Sequence, residues 1–182
     1  MRKISCRVSL FSIPLLLSSI TVAKEAPSSE VLVSLDTPSA CDAVGGNIVL
    51  NCGFETGAFD DWNRSGDWSF SDVTHGCAAT GDWGAEMGPI SDLGFLTQML
   101  PTTMGDTYAL SFWLQNWGAP NQFEVSWDGE VLMGRTDLPY MPWTLVSIPV
   151  VGSSNPDGTE LQFGFYNSGG YFCLDDVVVE IK

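Results

Sequence analysis

Two stretches decide the fold: NCGFETGAFDDW at Asn51–Trp62 and YFCLDDVVV at Tyr171–Val179. The first is typical of a strand followed by a glycine-containing turn that carries the carboxylate of Glu55. The second is typical of a closing strand that carries the paired carboxylates Asp175 and Asp176. Because the two segments lie at opposite ends of one domain, they predict a sandwich whose first and last strands meet, with a cation held where they meet.

The sequence between these stretches reads as short strands separated by Gly, Pro, Asn and Asp turns. No stretch keeps the 3.6-residue period of an amphipathic helix over about ten residues. Asp128-Gly129 is a turn signal that would begin a short hairpin. The sequence therefore predicts an all-β fold, a two-sheet antiparallel β-sandwich or jelly roll. The predicted strands are Asn47–Asn51, Trp68–Val73, Gly84–Met87, Phe95–Leu100, Thr107–Asn116, Gln122–Trp127, Trp143–Val150, Glu160–Tyr166 and Phe172–Ile181.

The N-terminus has the three parts of a secretory signal peptide. Arg2, Lys3 and Arg7 form a basic region, residues 8–22 are largely apolar, and Ala23 is a small residue at the expected cleavage point. An uncleaved membrane anchor is the alternative interpretation. The short apolar stretch disfavours it, because a spanning helix needs roughly 20 predominantly apolar residues.

This interpretation divides the chain into three parts. Residues 1–23 are expected to be a signal peptide, residues 24–40 a Ser-, Pro- and Glu-rich flexible leader, and residues 41–182 a single domain. The protein is expected to be secreted, extracellular or periplasmic, with no membrane insertion after cleavage.

The charge balance limits the possible partners. The chain has 7 basic and 22 acidic residues, a net charge of −15. Cleavage after Ala23 would leave 4 basic residues against 22 acidic ones, a net charge of −18. Such a surface repels nucleic acid and favours cations, neutral ligands or basic partners. Nucleic-acid binding is therefore not expected.

Four cysteines remain after signal cleavage: Cys41, Cys52, Cys77 and Cys173. An even number of cysteines in an exported chain predicts disulfides, and four cysteines allow three pairings. If the first and last strands are neighbours, Cys52 pairs with Cys173 and Cys41 with Cys77. The pairing of Cys41 with Cys173 and Cys52 with Cys77 is a close alternative. A zinc site is disfavoured because there is no CxxC spacing and His75 is the sole histidine.

Strict alternation in three predicted strands separates core residues from outward-facing ones. The outward residues combine aromatic rings with amides and a carboxylate, a set that suits sugar recognition. Sugar rings stack on aromatic faces, and their hydroxyls need hydrogen-bonding partners. The candidate ligand residues are Trp113 and Tyr166 for stacking and Gln115, Gln122, Glu124 and Gln162 for hydrogen bonding, provided that the three strands are neighbours; Asn116, Trp117, Asn121, Tyr140 and Trp143 could extend the site.

Glu55 with Asp175 or Asp176 is the candidate cation site. Calcium takes six to eight oxygen ligands, and the loop around Glu55 can donate carbonyls. Alternation sends the two aspartates to opposite faces, so a single one should point at the ion, and we favour Asp175. The alternative is that these acids hydrogen-bond turn amides.

The sequence gives little support for an enzyme. His75 has no recognisable partners for a nucleophilic triad. There is no phosphate-binding loop and no dinucleotide fingerprint. Asn63-Arg64-Ser65 is an N-glycosylation sequon, which has meaning if the source glycosylates its secreted proteins.

Four segments together resemble the galactose-binding-like jelly rolls, which include carbohydrate-binding modules appended to bacterial cellulases and xylanases. They are NCGFETGAFDDW, DTYALSFWLQN, PNQFEVSWDGEVL and YFCLDDVVV, in this order between about Ile48 and Ile181. The resemblance implies two antiparallel sheets and a structural calcium held by Glu55, nearby carbonyls and an aspartate of LDD. It also implies a concave outer face or a loop edge for glycans. Cys52 departs from the small or polar residue usual at its position.

These observations predict a secreted, non-catalytic protein resembling a carbohydrate-binding module, with a polysaccharide or glycan as its partner and calcium as a structural cofactor. The alternative is a structural or interaction protein of the extracellular matrix or envelope that has no soluble sugar ligand.

Overall fold

The computed structural model describes residues 37–182, so the expected signal peptide and residues 24–36 of the expected leader lie outside the described part. Ten strands and two single-turn 3₁₀ segments, Ala40–Ala43 and His75–Cys77, form the domain. The strands are β1 (Asn63–Gly66), β2 (Ser71–Thr74), β3 (Gly84–Met87), β4 (Gly94–Leu100), β5 (Thr107–Asn116), β6 (Asn121–Trp127), β7 (Glu130–Thr136), β8 (Met141–Val151), β9 (Thr159–Asn167) and β10 (Phe172–Ile181).

The strands form two five-stranded sheets. Sheet A has the order β1-β4-β9-β6-β7, and sheet B has the order β2-β3-β10-β5-β8. All strand pairings in both sheets are antiparallel. The predicted two-sheet antiparallel sandwich is therefore confirmed. Within residues 37–182, no helix is long and apolar enough to cross a membrane.

The core lies between the sheets and is built by alternate residues of each long strand. The inward residues are the ones that alternation predicts for β5, β6 and β9, and none of them is more than 5% exposed. Aromatic rings from both sheets meet at the centre, where Phe112 of β5 packs edge-on against Phe163 of β9 with 5.0 Å between ring centroids. The remaining inward residues of these strands are Tyr108, Leu110, Leu114, Phe123, Val125, Trp127, Leu161 and Phe165.

The first predicted strand, Asn47–Asn51, is not a strand in the structure. Its segment nevertheless binds the last strand. The N–H of Ile48 donates to the carbonyl of Val179 at 3.0 Å, and the N–H of Val177 donates to the carbonyl of Cys52 at 2.9 Å. The first and last segments of the domain do meet, but the pairing is too short and irregular to form a ladder.

Both predicted disulfide pairings are wrong, because the bonds join Cys41 to Cys52 and Cys77 to Cys173. The cause is the register of the first segment along β10. Cys52 lies level with Val177, four residues beyond Cys173 and therefore about 13 Å away along the strand. Cys77 directly precedes the loop into β3, which pairs with β10 beside Cys173.

Residues 37–40 of the expected leader belong to the described part of the chain. The side chain of Ser39 is 1% exposed, and its hydroxyl donates to the carboxylate of Asp176. The N–H of Thr37 donates to the carboxylate of Asp82 at 3.0 Å. Residues 37–40 therefore pack against the domain that they precede.

Candidate functional site

The six predicted ligand residues are divided between the two sheets. Gln122 and Glu124 lie on β6 and Gln162 and Tyr166 on β9, which are neighbours in sheet A; Trp113 and Gln115 lie on β5 in sheet B. The outer faces of the two sheets of a sandwich point in opposite directions. The prediction of one combined site is therefore wrong. Alternation assigns each residue to an inner or outer side, but it does not say which sheet its strand joins.

The four residues on sheet A lie close together on its outer surface, which we call the sheet A face. Gln122 of β6 lies opposite Tyr166 of β9, and Ser126 lies opposite Gln162 four residue pairs along the same ladder. Gln162 also lies opposite Thr97 of β4, and its side-chain amide donates to the Thr97 hydroxyl at 3.1 Å. Three adjacent strands thus present a band of half-buried polar side chains with an aromatic ring at one end.

Gly164 lies in the middle of the sheet A face, between Phe95 of β4 and Glu124 of β6. A Cβ atom at this position would lie 2.8 Å from Cγ of Glu124 and 2.9 Å from Cε1 of Phe95. The two side chains therefore lie over the glycine and approach each other across it. Sequence reasoning missed Phe95, although the alternation of β4 places it beside Thr97 on the outward side.

Tyr166 and Gln122 also line a pocket of about 270 Å³ with the β3–β4 loop residues Ser91, Asp92 and Leu93. The sheet A face is therefore continuous with a loop-lined pocket at the end of the sandwich where β3 and β4 connect.

Asp67 holds this loop in place. Its carboxylate accepts hydrogen bonds from the N–H groups of Ser69 at 2.9 Å, Ile90 at 3.1 Å and Ser91 at 2.8 Å. The N–H groups of Ser69 and Ser91, in that order, are the main reason that the pKa of Asp67 lies well below its ordinary value. The pocket wall is thus fixed by one ionised carboxylate.

Two of the loop residues expected to extend the site, Asn116 and Asn121, are structural, and Asn167 joins them. Asn116, Asn121 and Asn167 are at most 3% exposed, and the side-chain amides of Asn121 and Asn167 both donate to the Asn116 side-chain oxygen at 3.2 Å. This buried cluster connects the loops that follow β5, β7 and β9. Trp117 and Tyr140 remain exposed in two of those loops.

The predicted cation residue Asp175 is completely buried and binds backbone amides. One carboxylate oxygen accepts the N–H groups of Ala79 at 2.7 Å and Thr80 at 3.1 Å, and the other accepts the N–H of Asp176 at 2.7 Å. Glu55 binds the same loop farther along, accepting the N–H groups of Asp82 at 3.1 Å and Trp83 at 3.3 Å. The contacts match the alternative interpretation, in which these acids hydrogen-bond turn amides.

The expectation that Asp175 and Asp176 point to opposite faces is wrong. Asp176 has a φ of 49°, and the register of β10 against β5 shifts between Asp175 and Val178. As a result both carboxylates bind Thr80: Asp175 accepts its N–H, and Asp176 accepts its hydroxyl at 2.7 Å. Asp176 also accepts the N–H of Cys41 at 2.9 Å.

The electrostatics of this cluster suit a hard cation. Burial, together with the adjacent Asp176, raises the pKa of Asp175 to about 8, and burial raises the pKa of Glu55. The two arginines of the described part lie elsewhere, with Arg64 over the rings of Phe59 and Trp68 and Arg135 on β7. The donors are all oxygens, the ligand type that calcium prefers, but within residues 37–182 no set of three carboxylates brings one oxygen of each to within 4.8 Å of the others.

No family model and no curated protein matches this chain. Solved structures do match its fold. TmCBM61 in complex with β-1,4-galactotriose has a TM-score of 0.55 at 19% identity, over 76% of this chain and 100% of TmCBM61. The family 16 carbohydrate binding module-2 has a TM-score of 0.52 at 17% identity, over 73% of this chain and 99% of that module. The K3 cleaved adhesin domain of Lys-gingipain from Porphyromonas gingivalis has a TM-score of 0.53 at 16% identity, over 72% of this chain and 96% of that domain. The protein thus has the β-sandwich fold of carbohydrate-binding modules.

Proposed function

We propose that this chain is a secreted, non-catalytic protein that binds a neutral glycan chain against the sheet A face, with calcium stabilising the domain. The observation that carries the proposal is the arrangement of Tyr166, Gln122, Glu124 and Gln162 on two adjacent strands of one sheet face. The match in fold to carbohydrate-binding modules supports the same function.

The chemistry of the face suits a sugar chain. Tyr166 and Phe95 offer rings for stacking against the C–H faces of sugars, and Gln122 and Gln162 offer both donors and acceptors for hydroxyl groups. Glu124 adds a carboxylate acceptor. These side chains are half-buried and therefore partly ordered in the free protein, so they lose less conformational entropy when a ligand binds.

A neutral glycan is favoured over an acidic one. Glu124 lies on the face, and Asp92 lines the adjoining pocket. The whole chain carries a net charge of −15. The two local carboxylates and the net charge would all repel uronic acids and sulfated sugars, whereas a neutral sugar is not repelled.

A non-catalytic role is supported by the position of the single histidine. The Nδ1 atom of His75 lies 2.6 Å from the carbonyl oxygen of Asp82, and its ring stacks on Trp83 with 3.8 Å between centroids. His75 therefore packs against the loop beside Glu55 in a structural role. Secretion is supported by the two disulfides, which persist in oxidising compartments.

In this proposal calcium is held by Glu55 and Asp175. Bound there, the ion would supply the positive charge that the buried Asp175 and the half-buried Glu55 lack, and it would fasten the loop at residues 78–83 to β10. The side chains already contact this loop from both of its ends.

The experiment is a glycan-array screen of the purified protein, run in calcium and again in chelator. The proposal expects binding to a neutral oligosaccharide or polysaccharide, with weaker binding in chelator if the ion stabilises the fold. A folded protein that binds no glycan would contradict the proposal. That result would favour the alternative of a matrix or envelope interaction protein.

A further inference from the structure

The sheet A face has two ends along β9, and they differ. Glu160 is the outward residue at one end and Tyr166 at the other, about 20 Å away along the strand. Glu160 is half-buried and lies opposite Met99 of β4, whose side chain is 40% exposed. On β4, this end of the face is therefore open to solvent.

The Tyr166 end adjoins the β3–β4 loop. Because β3 belongs to sheet B and β4 to sheet A, this loop crosses the end of the sandwich. Gly94 lies opposite Phe165, so the preceding residue, Leu93, is level with Tyr166. Together the loop and the face line the pocket of about 270 Å³, whose residues are Ser91, Asp92, Leu93, Gln122 and Tyr166. The loop therefore forms a wall across this end of the face.

Hydrogen bonds hold the backbone of this wall at several points. The N–H of Asp67 donates to the carbonyl of Leu93 at 3.0 Å, and the N–H of Asn167 donates to the carbonyl of Pro89 at 2.8 Å. The Asp67 carboxylate holds the residues between them, as described above for Ser91. The wall is thus preformed, so a ligand loses little free energy in ordering it.

The wall carries hydrogen-bonding groups that face the pocket beside the ring of Tyr166. Asp92 is exposed, and one of its carboxylate oxygens accepts the N–H of Leu93 at 2.8 Å, which orients the group. Ser91 adds a hydroxyl, and Gln122 adds an amide from the side of the face. Carboxylate, hydroxyl and amide together can bind the free hydroxyl groups of a sugar.

A terminal sugar fits this arrangement better than an internal one. At the end of a glycan chain, a hydroxyl group is free at the position where an internal sugar carries the next unit. A sugar stacked on Tyr166 could direct that hydroxyl at the wall and extend the rest of the chain along β9. An internal sugar in the same place would have to continue into the wall.

We propose that the sheet A face binds the end of a neutral glycan chain. The terminal sugar occupies the pocket beside Tyr166, and the chain runs past Gln162 and leaves the face at Met99. This inference rests on the proposed glycan-binding function and adds the class of ligand, which is chain ends rather than internal segments. The free hydroxyl belongs to either the non-reducing or the reducing end, and the experiment distinguishes the two.

The test measures how many protein molecules a given mass of glycan binds at saturation. The probes are linear xylan, galactan, mannan and glucan, each intact and after partial hydrolysis, which multiplies chain ends without changing the sugar. We expect the number of binding sites per unit mass to rise in proportion to the chain ends, counted by a reducing-sugar assay. A number of sites that stays constant or falls on hydrolysis would overturn the inference and leave glycan binding intact.

Borohydride reduction of the hydrolysate that binds then identifies the end. Reduction opens the ring at the reducing end and leaves the non-reducing end unchanged. Unchanged affinity for the reduced sample assigns the pocket to the non-reducing end, and a roughly tenfold higher Kd assigns it to the reducing end. Both results agree with chain-end binding.

Asp92→Ala tests the wall itself. We expect a roughly tenfold higher Kd for the hydrolysate, because a charged hydrogen-bond acceptor is lost from the pocket. Asp157→Ala is the matched control, since it removes the same charge from an exposed position in the β8–β9 loop, at the other end of β9. Melting curves check that both variants are folded.

Two outcomes of these measurements would contradict the inference. Equal affinity of Asp92→Ala and Asp157→Ala for the hydrolysate would show that the wall does not bind the chain end. A wild type that binds none of the polymers or hydrolysates would overturn the proposed function and the inference together.

Discussion

Gln122 and Tyr166 lie directly opposite each other on β6 and β9, on the outer face of sheet A. They also line one wall of the same loop-bounded pocket. This pairing gives the proposed glycan face an amide and an aromatic ring at a single position.

Gly164→Ala should weaken glycan binding without unfolding the protein. The new Cβ would lie within 2.9 Å of both Phe95 and Glu124, so those side chains must move away from their places on the face. Because both contacting atoms belong to side chains with room toward solvent, the fold is expected to tolerate the change. We expect a roughly tenfold higher Kd by titration calorimetry. Gly45→Ala is the control, since no atom lies within 4 Å of its added Cβ; equal binding by the Gly164 variant and wild type would contradict the role of this face.

Asp67→Ala should loosen the β3–β4 loop. The change removes the acceptor for the N–H groups of Ile90 and Ser91, so their amides should exchange with solvent roughly tenfold faster. Because the pKa of Asp67 is lowered in the folded state, its stabilising effect is present above the ordinary value of 3.8 and is lost as the pH falls below it. The melting temperatures of wild type and variant should therefore converge in acid. A constant difference down to low pH would argue against an ionised Asp67.

The two disulfides should contribute unequally to stability. Cys77–Cys173 closes 96 residues and Cys41–Cys52 closes 11. In the chain-entropy model, the first disulfide adds about 4.7 kcal/mol to the free energy of unfolding and the second about 2.8 kcal/mol. Replacing each pair by serine and measuring denaturant unfolding checks this order. If removal of the Cys41–Cys52 disulfide lowers the free energy of unfolding more, local packing outweighs the entropy of loop closure.

Chelation should lower the melting temperature if calcium binds at Glu55 and Asp175. Binding to the native state alone adds about 2.7 kcal/mol at a hundredfold excess of ion over its Kd. Asp175→Asn should abolish the response to chelator. Asp60→Asn, which changes an exposed carboxylate in the loop that follows Glu55, should keep it. Identical melting curves for wild type with and without chelator would remove calcium from the account.

Much of the fold could be predicted because the alternation of apolar and polar residues along a strand indicates which side chains are buried. Phe112 and Phe163 are apolar at inward positions of long strands, and both are fully buried. Alternation says nothing about which sheet a strand joins, so it predicts one site for Trp113 and Tyr166, whereas the two residues lie on opposite faces of the sandwich.

The candidate site depends on features that sequence spacing does not encode. The positive φ of Asp176 and the register shift in β10 bring Asp175 and Asp176 to the same loop residue, against the simple period of two. The disulfide pairing depends on which residue of β10 lies beside Cys52, and that residue is Val177. Each of these is a local irregularity that tertiary packing decides.

The most direct test of glycan binding on the sheet A face compares Tyr166→Ala with Trp113→Ala in affinity electrophoresis against a glycan that binds wild type. We expect Tyr166→Ala to lose most of the retardation, because its ring lies on the sheet A face, and Trp113→Ala, on the opposite outer face, to keep it. Melting curves check that both variants are folded. Retained binding by Tyr166→Ala together with loss in Trp113→Ala would contradict the account and place the glycan on sheet B.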